Sequence, residues 1–417
     1  MTTIKIGMLG FGTVGSGVVE RLTQAAAKIE QTHGLHLELT TVAVHHLHAP
    51  RQAKLPAGTR LTTVLTDVVS DPQIQLVIEV MGTVTTAKQA ITTALEHGKS
   101  VITANKDLIA TAGQDLIDLA HRNRCDLFYE ASVAGGIPIL RTLTDSYATD
   151  TIQAVTGILN GTANYILSAM TQTGQTYPRA LAAAQAAGYA ESDPTNDVGG
   201  LDTTYKLMIL TRLAFGQQVT QAQIAPRGIT TLTADQCQAA AKSGWTIKLL
   251  AQAQRQAHHL YCRVAPVALD STHALSRIDG VQNGVAIQSQ AIGESLYAGP
   301  GAGSTATANS VLNDVLVAAQ RFREGTRGTA ITGVTTDPLP VINLAALPQE
   351  YLLFSDLPGD ILFRWATDGQ FTIQPLPDGG YRTSRLTAEQ CQALQVSDSI
   401  QLVPIAGTVA WPVAVKS

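Results

Sequence analysis

Charged residues make up only 14% of this 417-residue chain, against about 25% in an ordinary soluble protein. With hydrophobic residues at 45%, that shortage excludes a disordered or acidic solvating chain, which needs the opposite balance. Basic residues are not in excess: 28 Lys and Arg face 32 Asp and Glu, a net charge of −4. Nothing in that balance would draw a nucleic-acid backbone, so no nucleic-acid partner is expected. No apolar run approaches the ~20 residues that span a bilayer, so no membrane partner is expected either. The opening Met1-Thr2-Thr3-Ile4-Lys5 enters a strand-like run and lacks the layout of a signal peptide. Cysteine is scarce: Cys125, Cys237, Cys262 and Cys391 form no CxxC pair and no disulfide framework. A soluble, cytoplasmic, globular protein of two or three domains is the expectation.

What is present is regular alternation. Over the first 130 or so residues, strand-like runs (Ile4–Leu9, Leu37–Val44, Ile74–Met81, Ser100–Thr103, Leu127–Glu130) alternate with helical stretches (Thr13–Ile29, Thr86–His97, Gln114–His121). Such alternation implies right-handed βαβ crossovers and a doubly wound α/β domain with a parallel sheet. From about Gly135 the pattern becomes α+β. A strand at Thr151–Asn160 precedes helices at Asn164–Gln172 and Pro178–Ala187, a loop at Gly188–Leu201, and a helix at Asp202–Phe215. Leu260–Leu269 and Gly284–Gln290 read as strands, and Thr307–Gln320 as a helix with an apolar face. Residues 324–346 read as a linker, and the tail 348–417 as a small domain with strands at Tyr351–Phe354 and Ile400–Ile405. The expected division is a dinucleotide-binding domain, 1–135 plus helix 305–325, then a substrate-binding domain, 136–304, then the tail domain.

Gly10-Phe11-Gly12-Thr13-Val14-Gly15 is a GxGxxG between a strand and a helix. Glycine serves the tight turn, the close approach of a pyrophosphate and helix–strand packing, while the helix N-terminus offers N–H groups to the phosphates. Enzymes strict for NAD end the second strand in Asp or Glu. Here His45-His46 stand there, with Arg51 and Lys54 beyond. Cationic groups suit a 2′-phosphate, so NADP is favoured, with NAD as the alternative.

Three further segments carry chemistry. Lys106 follows the fourth strand, where ligands of open α/β sheets bind, although a surface lysine opening a helix reads the same way. Glu130, followed by the small-residue loop Val133-Ala134-Gly135-Gly136-Ile137, offers one carboxylate and free carbonyls. That set suits a hard monovalent cation or equally a hinge between domains. Glu191, Asp193, Asp197 and Asp202 crowd into twelve residues, and Lys206 lies one helical turn beyond Asp202. An Asp–Lys pair at that spacing is commonly a surface salt bridge worth ~0.3–0.5 kcal/mol. The crowd of carboxylates instead suits a ligand with an ammonium group, and the lysine suits a proton donor to a developing alkoxide. A second lysine nearby, such as Lys106, would tune it.

Taken together, GFGTVGSGV (10–18), TANKDLIA (103–110), YEASVAGGIPI (129–139), GILNGTANYIL (157–167), GYAESDPTNDVGGLDTTYKL (188–207) and GPGAGSTAT (299–307) resemble the homoserine dehydrogenase family, in order and over residues 1 to about 320. The resemblance implies an NAD(P)-linked interconversion of L-aspartate 4-semialdehyde and L-homoserine. It implies Lys206 as the proton-transferring residue, with Lys106 assisting, and Glu191, Asp202 and Asp197 on the amino-acid substrate. Gly188 and Gly303 match cofactor contacts, and Glu130 with Val133, Gly135 and Ile137 matches a sodium site. A homodimer formed through the substrate domain is implied too. So is a return of helix 307–320 to the nucleotide domain, and an ACT-like βαββαβ tail that either helps assembly or senses a feedback amino acid such as threonine. The chain departs from many relatives at His45-His46 (Arg-Asp there), Gly199 (Glu) and Ala306 (Pro).

Two rivals stand beside this reading. Another Rossmann amino-acid dehydrogenase, such as aspartate semialdehyde dehydrogenase, needs an active-site thiolate. A non-catalytic nucleotide-sensing regulator needs the glycine turn but has no use for Lys106, Glu191, Asp202 and Lys206.

Overall fold

The structure, a computed structural model, describes residues 1–328, 338–395 and 399–410. It divides into two compact units, Met1–Ala148 with Gly299–Thr335 and Thr149–Ala298 with Thr336–Ser417.

The first unit is built on six strands: β1 (Thr2–Leu9), β2 (Leu35–Ala43), β3 (Arg60–Thr62), β4 (Leu76–Glu79), β5 (Ser100–Thr103) and β6 (Leu127–Phe128). They lie parallel in the order β3-β2-β1-β4-β5-β6. The order reverses between β1 and β4, the switch point where a ligand crevice opens in doubly wound folds. Central strands of such a sheet are covered on both faces, which is why β4 and β5 are buried at every position. The helix Ser304–Glu324 belongs to this unit despite its place in the chain. Its Ala308, Val311, Leu312, Val315, Ala318 and Ala319 fill one core with Ile4, Ile6, Met8, Val18, Val19 and Leu22. Each buried Val, Leu, Ile or Met side chain in that cluster contributes roughly 1.5–3 kcal/mol.

Among the boundaries that differ from the sequence reading, two bear on the site. The helix after β5 runs from Lys106 to Arg122, eight residues longer at its start, because the Asn105 side chain accepts from the Leu108 N–H and caps it. The strand expected at Leu127–Glu130 stops at Phe128, and Glu130–Ser132 forms a single 3₁₀ turn that sends the Glu130 carboxylate inward.

The second unit carries β7 (Ile152–Ile158), β8 (Trp245–Gln256), β9 (His259–Asp270), β10 (Gln282–Ser289), β11 (Glu294–Pro300, which crosses the boundary between units) and β12 (Val341–Asn343) in the order β11-β10-β7-β8-β9-β12. The long hairpin β8–β9 pairs residue by residue from Trp245–Asp270 to Gln256–His259. Its first strand was not legible, since lysine, glutamine and arginine interrupt its apolar run. The expected linker 324–346 needs correction as well. Residues 329–337 lie outside the described residues, but Val341–Asn343 is sheet, parallel to β9.

Beyond it, β13 (Tyr351–Ser355), the helix Gly359–Asp368, β14 (Ile373–Pro375), β15 (Tyr381–Thr383), the helix Ala388–Leu394 and β16 (Ile400–Pro404) complete a βαββαβ layer in the order β14-β15-β13-β16. Gly379-Gly380, where the pattern faded, is the tight turn between β14 and β15, closed by Leu376 N–H donating to the Gly380 carbonyl. Among the described residues no helix is long and apolar enough to cross a membrane.

Candidate active site

The glycine turn is shaped by contact. Gly10 has φ +100°, and a Cβ there would sit 2.6 Å from the Val80 carbonyl oxygen. A Cβ on Gly15 would sit 2.6 Å from the carbonyl oxygen of Gly10. Gly12 is different: a Cβ there meets nothing within 4 Å, so its backbone faces open space. It is also the N-cap of the helix Thr13–His33, which has no side-chain cap and no acid in its first turn. Unpaired N–H groups, a positive helix end and an open approach fit a pyrophosphate. Phe11 is buried, while Thr13 and Val14 form the first turn, held from behind by Ser304 Oγ donating to the Thr13 carbonyl. Gly303 precedes that serine with open space above its Cα.

Beyond β2, the rings of His45 and His46 meet edge to face, Nδ1 to Nε2 at 2.9 Å. Arg51 donates to the carbonyls of His46 (2.6 Å), Leu47 (2.7 Å) and Ala49 (3.0 Å), and lies 5.8 Å from the centre of the Phe11 ring. A cation therefore stands next to the glycine turn, with no carboxylate paired to it among the described residues.

At the carboxyl ends of β4 and β5 a residue that sequence reasoning passed over holds the corner. Glu79 is fully buried; its Oε1 accepts from Met81 N–H (2.8 Å) and its Oε2 from Thr103 Oγ1 (2.6 Å). Burial pushes its carboxyl above the usual range, against those hydrogen bonds. Thr103 Oγ1 in turn accepts from Asn105 N–H, and Asn105 Nδ2 donates to the Thr83 carbonyl. The network fixes the turn from which Lys106 opens its helix, with Nζ 3.3 Å from Asp107. The one available signal was a lone acid closing the apolar run Leu76-Val77-Ile78-Glu79.

The loop after β6 is nearly all buried. Glu130 accepts from the backbone N–H groups of Leu140 (2.8 Å) and Arg141 (2.7 Å), and its own N–H donates to Asp314 (2.9 Å). Asp314, fully buried and unmarked by any motif, pairs with Arg141 at 2.5 Å. Burial pushes Asp314 up to about 7 in spite of Arg141, and pushes Glu130 up as well. The Gly135 carbonyl accepts from Ser310 Oγ (2.6 Å), and that of Ile137 from Ile139 N–H (2.8 Å). Val133 and Ile137 are buried beside them. Among the described residues no group of three or more His, Cys, Asp or Glu gathers as a metal cage.

In the second unit, Asp197, Asp202 and Lys206 come together around Asn160, which sequence reasoning had left without a role. Asn160 Nδ2 donates to Asp197 Oδ1 (2.7 Å) and Asp202 Oδ2 (2.8 Å). Its Oδ1 accepts from Ala163 N–H and caps the helix Gly161–Thr173. Lys206 Nζ donates to Asp202 Oδ2 (2.7 Å) and to the Leu159 carbonyl (2.6 Å). The pair is only 12% and 9% exposed, so it is not the surface bridge that its i, i+4 spacing alone suggests. The signal for Asn160 was an asparagine in front of Gly-Thr-Ala, an N-cap pattern. Gly188 and Glu191 lie on the loop that follows the helix Tyr177–Ala186, anchored by Thr162 Oγ1 donating to the Tyr189 carbonyl. Glu191 is exposed, and its carboxylate has no partner among the described residues.

No thiol is activated. Burial pushes Cys125 up to about 11 and Cys237 and Cys262 to about 12, and Cys391 is raised too. That removes the thiolate-dependent rival.

A doubly wound nucleotide unit with this glycine turn and a second unit holding a Lys–Asp–Asn–Asp cluster together define a nicotinamide-dependent dehydrogenase. Residues 10–130 match the family model of the homoserine dehydrogenase NAD-binding domain, and 138–316 that of homoserine dehydrogenase. The homoserine dehydrogenase of Bacillus subtilis (strain 168) is 41% identical over 333 residues, 80% of this chain and 77% of the relative. That of Lactococcus lactis subsp. lactis (strain IL1403) is 40% identical over 328 residues, 78% of this chain and 76% of the relative. A crystal structure of a homoserine dehydrogenase from Thiobacillus denitrificans superposes with a TM-score of 0.88 at 30% identity, covering 97% of this chain and 98% of that one. One from S. aureus gives 0.77 at 27%, over 98% and 100%. The chain belongs to the homoserine dehydrogenase family, NAD(P)-dependent oxidoreductases acting on a small-molecule substrate.

Proposed function

We propose that this chain interconverts L-aspartate 4-semialdehyde and L-homoserine with Lys206 as the proton donor. The observation that carries the assignment is the cluster Leu159 carbonyl–Lys206–Asp202–Asn160–Asp197, a cation held by one carboxylate and one carbonyl and largely withdrawn from water. A dinucleotide held at Gly10 through Gly15 would supply the hydride for the aldehyde carbon in the reducing direction. Lys206 gives a proton to the aldehyde oxygen as negative charge develops there, and takes one back in the reverse direction. Asp202 and the Leu159 carbonyl fix the orientation of the ammonium, while Asp202, Asp197 and the exposed Glu191 receive the ammonium of the amino acid. Lys106 assists at the nicotinamide end of the nucleotide site.

Gly10 through Gly15, with Gly188 and Gly303, are assigned to the dinucleotide. His45 and Arg51 are assigned to a 2′-phosphate, which makes NADP the preferred coenzyme. The open face at Gly12 and the unpaired charge of Arg51 support both. A sodium ion at Glu130, Val133, Gly135 and Ile137 is part of the proposal, resting on the resemblance of this segment to the family and on its burial in one loop. Residues 1–135 with helix 305–325 serve as the nucleotide domain, 136–304 as the substrate and dimerisation domain of a cytoplasmic homodimer, and 348–417 as an ACT-like domain for assembly or for a feedback amino acid.

The test is homoserine-dependent reduction of NADP and of NAD, followed optically, in the wild type and in Lys206→Ala. Turnover lost in the variant with NADP affinity intact supports the assignment. No turnover in the wild type with either coenzyme overturns it.

A further inference from the structure

Within the second unit, between β9 and the C-terminal βαββαβ layer, lies a cavity of about 210 Å³ walled in part by Arg227, Arg263, Val264, Tyr351, Cys391 and Pro404. Arg263 is 4% exposed. Its Nη1 donates to Gln349 Oε1 (2.7 Å), and its Nε and Nη2 to Gln252 Oε1 (3.1 and 2.6 Å). Arg227 Nη2 donates to the Leu402 carbonyl (3.0 Å). Every one of these acceptors is neutral. The titratable groups facing the two guanidinium groups are Tyr351 and Cys391, both pushed upward by burial and so uncharged at neutral pH. Among the described residues no carboxylate pairs with either arginine. A buried cation beside a half-buried one, in one cavity without a counter-ion, is costly to desolvate unless an anion accompanies them.

We propose that this cavity is a binding site for a small organic carboxylate, separate from the active site. The arginines take the carboxylate, and the aliphatic wall of Val264, Ala265 and Pro404 takes its carbon chain. An α-amino acid fits poorly, because its ammonium finds no acid there. Asn343 is already committed, Nδ2 to the Ile224 carbonyl and Oδ1 to Ala345 N–H. The occupant also has a route to the catalytic cluster. Ile229 N–H donates to the Val198 carbonyl at 2.8 Å, and a Cβ on Gly228 would lie 2.2 Å from the same oxygen. The strand of chain bearing Arg227 is thus packed directly on the residue after Asp197.

Calorimetric titration of the whole protein tests this with butyrate, glutarate, inorganic phosphate and L-threonine as separate probes, in a buffer free of other carboxylates and phosphate. Saturable binding of butyrate or glutarate is expected, weakened at least tenfold in Arg227→Gln and by less in Arg227→Lys. Without ligand, Arg227→Gln is expected to melt higher than the wild type, since it removes an unpaired, half-buried charge next to Arg263; an arginine with a purely structural role would melt lower on replacement. Absence of carboxylate binding, or binding unchanged by Arg227→Gln, overturns the site. Phosphate binding in place of the carboxylates overturns the ligand class, and so does L-threonine binding as tightly as butyrate through Arg227.

Discussion

Lys206 Nζ lies 2.7 Å from Asp202 Oδ2 and bonds in the same fork to the Leu159 carbonyl, so one ammonium ties the helix Leu201–Phe215 to the end of β7. A lysine held this way has one N–H direction left for a substrate oxygen. Lys206→Met is expected to lower kcat by 10²- to 10⁴-fold, the usual range for a lost general acid. Lys206→Arg keeps the charge but not the transferable proton, and is expected to bind homoserine with little turnover. Steady-state kinetics with separate measurement of NADP binding checks both. A variant that loses cofactor affinity in step with kcat would place Lys206 in binding rather than in proton transfer.

Asn160 brings a neutral side chain into the cluster, and its amide bridges Asp197 and Asp202. Asn160→Ala removes both hydrogen bonds and a helix cap, changes worth about 1–3 and 0.5–2 kcal/mol respectively. Asn160→Asp keeps the cap but sets a third carboxylate against two others. The expected order of melting temperature is wild type, then the alanine variant, then the aspartate variant, with the gap between the variants widening above pH 5. Equal melting of all three would remove Asn160 from the cluster's energetics.

Gly12 and Gly15 separate folding from binding within one motif. A methyl group at Gly12 meets no protein atom, at an ordinary φ of −84°, so Gly12→Ala is expected to fold with unchanged stability. It fills the approach to the helix N-terminus, and dinucleotide affinity is expected to fall tenfold or more. Gly15→Ala must displace the Gly10 backbone, 2.6 Å away. A loss of stability of about 1–3 kcal/mol follows from that overpacking. Melting curves and cofactor titrations on the two variants decide the point.

Arg51 caps three carbonyls of the loop after β2 and keeps its charge unpaired beside Phe11. If it meets a 2′-phosphate, Arg51→Gln forfeits charge-assisted hydrogen bonds worth about 1.5–3 kcal/mol. NADP affinity is then expected to fall roughly 10- to 150-fold, with NAD affinity little changed. Equal losses for both coenzymes would show that the side chain only shapes the loop.

The pattern of these residues explains what was legible. The parallel sheet could be read because β4 and β5 are short, apolar and bounded by turns, and the glycine motif because its spacing has one physical use. Asp202 and Lys206 were visible through helical spacing. The bridge that Asn160 makes and the role of Asp314 were not: apart from the local cap on Ala163, these contacts cross 37 residues or more, to Asp197 in one case and to Arg141, 173 residues away, in the other. Contacts of that separation leave no periodic trace in a single sequence. The strand β8 was hidden for a related reason. Its Lys248 is buried and bonded to Asp279, and its half-buried Gln252 accepts from Arg263, so a covered strand carries the composition of an exposed one.

Asp314 gives the structure a pH signature. Burial raises its carboxyl from an ordinary 3.8 to about 7, with Arg141 opposing and the neighbouring Glu130 reinforcing the shift. Between those two values the folded protein keeps a proton that the unfolded chain releases. The contribution of this group is therefore most favourable below pH 4 and is lost as pH rises toward 7. Asp314→Asn stands in for the protonated form and does not titrate. Against this variant the wild type is expected to lose stability between pH 5 and 7.5, with a slope of up to about 1.4 kcal/mol per pH unit for one proton. Urea midpoints of both proteins across that range measure the difference. Parallel lines would mean that the 2.5 Å contact with Arg141 keeps Asp314 ionised throughout, and that the ion pair outweighs its desolvation.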